Sequence, residues 1–259
     1  MNTTMSPSPF FTVIIATYNA EATVVKSLES VLAQTERPQV ILVDGLSKDR
    51  TMALAQPFEA QGVEIICERD QGVYDAWNKG IAKATGQWII FLGADDYYDS
   101  PASLAGLRTR LTAAEGRTEV AYGRVKLVEA DSTIVAEENQ PWEEVRAQLP
   151  VNMPFTHVGT AHRRSMFAER KFNPAFRIAG DYHFLYPSLI KQNPLFIPDY
   201  VIHMGAGGLS TNPKTRRRLI REIKAVQSDY KINIPLRQKI WLDAKYAYYS
   251  VRDRLESKK

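Results

Sequence analysis

Residues 91–99, FLGADDYYD, end an apolar run that begins at Trp88 with two adjacent carboxylates, Asp95 and Asp96. Upstream, residues 42–51, LVDGLSKDRT, end a second apolar run, 40–43, with Asp44. Short apolar runs bounded by turn residues read as strands buried on both faces, the signature of a parallel sheet. In such a sheet, flanked by helices, ligands bind outside the carboxyl ends of the strands. Two strands that each deliver Asp to that edge suggest one contact to a nucleobase or ribose and another to a metal-bound phosphate. This is the pattern of an enzyme that handles a nucleoside diphosphate.

Outward from these strands the chain alternates. Residues 10–16 are β-branched and apolar and read as the first strand, followed by the polar turn Thr17-Tyr18-Asn19. Residues 22–34 carry Val24, Leu28, Val31 and Leu32 at helical spacing, and Pro38 breaks that helix before a strand at 39–43. Asp44-Gly45-Leu46-Ser47 is a turn, and Asp49 is placed to cap a short helix from Arg50. Gly62 precedes a third strand, 63–67. Val73, Trp77, Gly80, Ile81 and Ala84 mark one face of a second long helix, which Gly86 ends before the strand at 88–92. This alternation predicts an α/β fold with a mainly parallel sheet and flanking crossover helices.

After Pro101 the pattern changes. A helix is expected over 103–111, and an antiparallel pair over 120–128 and 133–136. Short helices at 143–147 and 165–169 flank an irregular segment containing His157. Residues 181–191 read as helix, 195–197 as strand and 205–212 as a Gly/Ser-rich loop. Two basic helices follow, 213–230 and 236–255, separated near Pro235.

At 259 residues and 44% hydrophobic, the chain can fill a large core and is not of disordered composition. Cys67 is the single cysteine, so no disulfide can form within the chain, which fits a reducing compartment. The N-terminal stretch MNTTMSPSPF lacks the basic-then-apolar pattern of a secretory signal. No apolar run approaches the roughly 20 residues that span a bilayer. A cytoplasmic location is therefore expected. The net charge of +4 is unevenly placed: residues 212–259 hold 14 basic and 5 acidic residues, whereas 1–211 hold 19 and 24. The division expected is a catalytic domain over 1–211 and a basic helical extension over 212–259. A basic tail fits an anionic partner. Nucleic acid is the poorer candidate, since no recognisable reading motif accompanies the charge. The mixture of basic, aromatic and aliphatic residues on the second helix suits attachment to an anionic membrane face.

Four stretches occur in order: Thr12-Val-Ile-Ile-Ala-Thr-Tyr-Asn19, Asp44-Gly-Leu-Ser-Lys-Asp49, Asp70-Gln-Gly-Val-Tyr-Asp-Ala-Trp-Asn-Lys-Gly80 and Gly93-Ala-Asp-Asp96. Together they resemble glycosyltransferase family 2, the inverting enzymes of GT-A (Rossmann-like) fold. The closest resemblance is to bacterial members that build exopolysaccharide or lipopolysaccharide. It covers residues 11–210, most of the chain.

The resemblance implies a nucleotide-sugar donor, UDP-linked by preference, and a glycan or lipid-linked glycan acceptor. It places Ala16, Thr17, Tyr18, Asn19, Asp44, Asp70, Lys79, Gly93, Ala94 and Asp95 around the donor. A hydrogen bond from the nucleobase to Asp44 competes with a plain Asx-turn at that residue. Asp95, with Asp96 and His203 as further candidates, would hold Mn²⁺ or Mg²⁺. A nucleotide-bound ion takes only one or two oxygens from the protein. Gly93 stands where the fuller Asp-x-Asp motif has its first Asp, so that contact is missing. His157, Gly207, Gly208 and Ser210 are candidates for acceptor or phosphate contacts. Asp181, within Ile178-Ala-Gly-Asp-Tyr-His183, resembles the catalytic base.

Three rivals are weighed against this reading. A sugar-phosphate nucleotidyltransferase would carry a Gly-rich, Lys/Arg-bearing loop after the first strand, where this chain has Ala16-Thr-Tyr-Asn19. A non-catalytic nucleotide-sugar-binding protein would share the motifs without turnover. A dehydrogenase is weaker still, because no G-x-G-x-x-G follows the first strand.

Overall fold

The strands expected at the two Asp motifs lie side by side in the computed structural model, which describes residues 8–114, 116–208 and 213–256. Strand β1 (Phe11–Thr17) is the hub, pairing in parallel with β2 (Gln39–Asp44) on one side and β4 (Trp88–Gly93) on the other. β3 (Val63–Cys67) extends the sheet beyond β2, again in parallel. The order β3-β2-β1-β4 reverses direction at β1. A crevice therefore opens outside the carboxyl ends of β1 and its neighbours, which is where a doubly wound sheet binds ligands.

The side chains of β1 alternate between two cores, as strand periodicity requires. Phe11, Val13 and Ile15 pack with Val24, Leu28 and Val31 of α1 (Val24–Leu32) and with Leu104, Leu107 and Leu111 of α4 (Ser103–Ala113). Ile14 faces the opposite layer, with Tyr74 and Trp77 of α3 (Val73–Lys83). There α3 crosses β1 closely: a Cβ at Gly80 would stand 2.6 Å from an Ile14 methyl. The short helix α2 (Thr51–Ala55) is capped by Arg50 and not by Asp49, which stands one residue earlier and accepts hydrogen bonds from the amide (2.9 Å) and hydroxyl of Thr51.

The second half of the chain continues the same sheet. β5 is a two-residue strand, Tyr97–Tyr98, and β6 is Val120–Val128. The antiparallel partner expected at 133–136 is β7, Ile134–Glu138, with an irregularity between Leu127 and Val128. Helix α5 (Trp142–Val145) runs into a 3-10 turn at Arg146–Gln148 and precedes β8 (Thr160–Arg163). β8 bridges β4 and β6, antiparallel to both. Helices α6 (Met166–Glu169) and α7 (Gly180–Leu189) lead to β9, Leu195–Gly205.

Three features depart from expectation. β8 lies in the segment read as irregular, and β5 was not anticipated from the sequence. β9 was expected to stop at 197 but runs to Gly205, through Pro198, because the register against β6 shifts at Gly123–Val125 to absorb it. The complete order is β3-β2-β1-β4-β8-β6-β9-β5, with β7 on β6.

The basic C-terminal helices are α8 (Arg216–Asp229), after a 3-10 turn at Pro213–Thr215, and α9 (Leu236–Glu256). Ile223 and Val226 of α8 belong to the same buried cluster as Tyr74, Tyr182 and Leu185. The change near 211/212 is therefore one of composition and not a gap in packing. No helix among the described residues is long and apolar enough to cross a membrane.

Candidate active site

The nucleotide end of the crevice is built by the turns after β1 and β2, where Thr17 and Asp44 are partners across the two strands. Ser47 ties these turns together. Its hydroxyl accepts the Asn19 amide hydrogen at 2.8 Å and donates to Asp44, while its own amide donates to the other Asp44 oxygen at 2.8 Å. The side-chain oxygen of Asn19 accepts from the Lys48 amide at 2.8 Å, and Asn19 takes a left-handed φ of 51°. The Asp44 carboxylate is thus an Asx-turn, fully buried and engaged on both oxygens. The Thr17 hydroxyl is buried beside it with no partner among the described residues. A buried polar atom left in this state costs free energy until something satisfies it.

Asp70 closes the other wall. One oxygen accepts from the Gly72 amide at 2.7 Å, and the other lies over Gly45, where a Cβ would come within 2.4 Å of it and 3.5 Å of the Tyr18 ring. Tyr18, 57% exposed, therefore faces the same turn as Asp70. Lys79 is held at the edge of this region, 3.1 Å from Glu68 and 3.8 Å from Asp75, and its ammonium donates to the Arg69 carbonyl. Asn78 exchanges two hydrogen bonds with the backbone of Phe172, which is a clamp between segments and not a free donor.

The two carboxylates after β4 have different environments. Asp96 is 4% exposed and accepts from the Gly93 amide at 2.7 Å and the Gly205 amide at 3.2 Å. It ties the end of β4 to the end of β9. Burial first, and then the neighbouring Asp95 charge, push its carboxyl up to about 7. Asp95 is exposed at the crevice, lying over Gly205, where a Cβ would fall 2.7 Å from its Oδ2. At Gly93 a Cβ would stand 2.7 Å from Asp95 Oδ1 and 2.9 Å from Asp96 Oδ2. Asp95 can turn aside but Asp96 is pinned, so the glycine in place of the first Asp suits this packing.

His203 does not share the Asp95 environment. Its ring nitrogens lie 3.0 Å from the Tyr97 hydroxyl and 2.7 Å from Asp99, which also binds Lys126. Among the described residues no group of three or more His, Cys, Asp or Glu could hold a metal by itself. A lone exposed carboxylate still fits an ion that arrives on a diphosphate, since the phosphate oxygens and water then complete a hard-oxygen shell. Gly207 and Gly208 follow β9 on the surface, Gly207 with a left-handed φ of 92°. Ser210 lies outside the described residues.

Asp181 sits in the first turn of α7, against α3. Its Oδ1 accepts from the Tyr182 amide at 2.8 Å and lies 3.3 Å from the Tyr74 hydroxyl, which donates to the Ile178 carbonyl at 2.7 Å. The Tyr74 ring packs so closely on Gly180 that a Cβ there would meet it at 2.6 Å. Burial raises the Asp181 carboxyl to about 6, outweighing the hydrogen bonds that lower it. The result is a carboxylate poised to take a proton near neutral pH, the condition for a general base.

Sequence reasoning missed Tyr74 and Arg177. The Arg177 guanidinium lies over Gly72, whose φ of 120° no β-carbon would tolerate there. It thereby joins the Asp70 loop to the segment that enters α7; Gly72 was the one signal of it in the sequence. His157 is not on an open loop. It is 7% exposed, stacked on Trp77 at 4.8 Å, with its Nε2 3.1 Å from that of His162. Burial, reinforced by His162, keeps its ring well below the usual histidine range and so neutral.

These positions can be set beside known proteins. The model of glycosyl transferase family 2 matches residues 12–170, from β1 through α6. The chain belongs to that family. It is a glycosyltransferase of α/β fold. The matched region includes the Asp44, Asp70 and Asp95 turns and stops short of Asp181. Among relatives, a PGL/p-HBAD biosynthesis glycosyltransferase of Mycobacterium bovis (strain BCG / Pasteur 1173P2) is 33% identical over 184 residues, 68% of each chain. The succinoglycan biosynthesis protein ExoO of Rhizobium meliloti (strain 1021) is 28% identical over 219 residues, 78% of this chain and 63% of that one. Among solved structures, S. aureus TarS 1-349 in complex with UDP-GlcNAc matches with a TM-score of 0.64 at 16% identity, covering 92% of this chain and 72% of that one. The mannosyltransferase PcManGT from Pyrobaculum calidifontis, in complex with GDP-Man and Mn²⁺, matches with a TM-score of 0.65 at 17% identity, covering 93% and 70%. At these identities the two structures speak for the fold alone, and they bear out the GT-A expectation.

Proposed function

We propose that this glycosyltransferase moves a sugar from a nucleoside diphosphate donor, UDP-linked by preference, to an acceptor hydroxyl with inversion at the anomeric carbon. The observation that carries this is an exposed carboxylate, Asp95, at the end of β4 together with a half-buried one, Asp181, at the start of α7, whose carboxyl desolvation raises to about 6. In this reading the nucleobase lies between the Tyr18 turn and Asp70, within reach of the unpartnered Thr17 hydroxyl. The buried Asx-turn of Asp44 shapes that pocket by holding the Ser47 turn in place. Asp95 faces the diphosphate and is the residue that would hold Mn²⁺ or Mg²⁺. The ion, when bound, neutralises charge on the departing diphosphate. Asp181 accepts the acceptor's proton as its oxygen attacks the face of the sugar opposite the diphosphate. Tyr74 orients that carboxylate. Asp96 and His203 act by fixing the strand ends that carry Asp95.

The acceptor proposed is a glycan or lipid-linked glycan of bacterial cell-surface polysaccharide or glycoconjugate synthesis, a reading supported by the names of the two relatives. A thermal-shift panel of nucleotide sugars with and without Mn²⁺ tests the donor, because a ligand stabilises in proportion to its affinity. A shift with UDP-sugars that exceeds that with GDP-sugars is expected, and the reverse order would move the preference to GDP. Donor hydrolysis indistinguishable from buffer with every sugar would favour a binding protein over an active enzyme.

The site is also proposed to work at the cytoplasmic face of a membrane. Helix α9 buries Leu242 against the body but leaves Leu236, Ile240, Trp241 and Tyr248 between 54% and 71% exposed, among Arg237, Lys239 and Lys245. Exposed apolar and basic residues on one helix suit an anionic bilayer surface, where each basic residue contributes about 1 kcal/mol. Sedimentation with anionic vesicles, comparing the full chain with Leu236, Ile240 and Trp241 changed to Ser, is the test. Loss of pelleting in the variant is expected, and equal recovery of both proteins in the supernatant would remove the membrane reading.

A further inference from the structure

Helix α7, which carries Asp181, begins without a cap of its own: Ala179 precedes it and offers no side-chain oxygen. The segment that enters the helix, and the amide of the capping residue Ala179 itself, are held instead from a different element. Glu222, on α8, is 6% exposed and receives three consecutive backbone amides, those of Arg177 (3.1 Å), Ile178 (2.8 Å) and Ala179 (2.9 Å). We propose that Glu222 is a positioning residue for the catalytic base, holding the entry to α7 so that Tyr74 and Asp181 stay in register with the crevice. This rests on the assignment of Asp181 as base.

The chain of contacts is continuous. Glu222 accepts from the amide of Ala179; the carbonyl of that same peptide group, Ile178's, accepts from the Tyr74 hydroxyl at 2.7 Å; and that hydroxyl oxygen is 3.3 Å from Asp181. Hydrogen bonds in such a series polarise one another in a buried setting. The neighbouring residue, Arg177, lays its guanidinium over Gly72 beside the Asp70 loop, so the segment 177–179 touches both the donor side and the base. A buried carboxylate is costly unless it is hydrogen-bonded. Its ion-pair partner, Arg218 at 3.6 Å, is half exposed and does not replace the amides. Ile220, Ile223 and Val226 already bury α8 against the body, so anchoring that helix does not require a carboxylate at 222.

The charge has a second consequence. The titratable groups that bear on Asp181 are the Tyr74 hydroxyl from α3 and the Glu222 carboxylate from α8. Burial is the main cause of the raised Asp181 carboxyl, and the Glu222 charge adds to it. Removing that charge while keeping the hydrogen bonds lowers the pH at which Asp181 ionises. Glu222→Gln does this, because its amide oxygen still accepts from the backbone.

The test uses the full chain and compares Glu222→Ala, Glu222→Gln and Asp181→Asn with the wild type. Donor affinity, kcat with a saturating acceptor, and the pH dependence of kcat/KM are measured. Glu222→Ala is expected to lower kcat by roughly 10- to 100-fold, the scale of a misplaced catalytic group, with donor affinity within about two-fold. Glu222→Gln is expected to regain most of kcat and to move the acidic limb to lower pH. Wild-type kcat in a folded Glu222→Ala overturns the proposal. Should the alanine variant fail to fold, Glu222→Asp, whose carboxylate is drawn back by one methylene, decides the matter: wild-type kcat there overturns the proposal as well. Asp181→Asn separates the two claims: near-normal turnover there removes the base assignment itself, whereas an inactive Asp181→Asn beside a normal Glu222→Ala removes only the role of Glu222.

Discussion

Gly180→Ala isolates the contact on which the base geometry depends. Gly180 opens α7, and a Cβ built there would stand 2.6, 2.7 and 2.8 Å from three ring carbons of Tyr74. That ring is 3% exposed and is wedged between Trp77 and Phe172, with centroids at 5.3 and 5.6 Å. Its hydroxyl is tied to the Ile178 carbonyl at 2.7 Å. The ring cannot retreat without breaking one of these contacts. Overpacking of a filled core costs about 1–3 kcal/mol, and a strained or broken hydrogen bond adds about 1 kcal/mol. Against this stands the gain of about 0.5–1 kcal/mol from Gly to Ala within a helix. The net expectation is a loss of about 1–3 kcal/mol, together with a fall in kcat as Tyr74 releases Asp181. Gly106→Ala in α4 is the internal control. A Cβ there meets nothing within 4 Å, so only the helix gain of up to about 1 kcal/mol is expected. Urea unfolding of both variants gives the difference directly. A Gly180→Ala protein as stable as Gly106→Ala, with unchanged turnover, would refute the close packing of α3 on α7.

Two further substitutions probe the donor side. Asp95→Ala should abolish the metal-dependent part of UDP affinity by calorimetry while leaving the unfolding midpoint in place, because the carboxylate is exposed and caps nothing; unchanged affinity with Mn²⁺ would sink its assignment. Asp44→Ala should weaken UDP binding equally with and without Mn²⁺. It should also destabilise the protein by about 1 kcal/mol or more, since it leaves the half-buried Ser47 amide without its acceptor. An effect confined to the metal-dependent part would show that Asp44 does not serve the nucleobase end.

The first four strands and their helices were legible because each signal is local. The apolar runs of β1, β2 and β4 are buried on both faces, and the polar residues that end them are the ones that reach the crevice. What was not legible depends on distant partners. Thr160–Arg163 becomes β8 only because β4 and β6 present edges to it. Pro198 reads as a stop for β9, yet the strand continues past it through a register shift. The site shows the same division. Asp95 could be singled out from the strand end it follows and Asp181 from the family resemblance, whereas Tyr74, Arg177 and Glu222 carry ordinary helical or loop surroundings in sequence. They matter because α3, the segment before α7 and α8 meet in space. His157 reads as a loop residue for the same reason: Trp77 and Phe91, which bury it, come from α3 and β4.

The most direct measurement is the pH dependence of kcat/KM for the wild type beside the turnover of Asp181→Asn, using a nucleotide sugar and an acceptor that the wild type joins. The carboxyl raised to about 6 must be ionised to take the acceptor's proton, so kcat/KM should fall as pH drops through about 6. Asp181→Asn should lower kcat by roughly 10²–10⁴ while donor affinity stays nearly unchanged, as expected for loss of a general base. Turnover within a few-fold of wild type in Asp181→Asn, with the acidic limb still in place, would contradict the account.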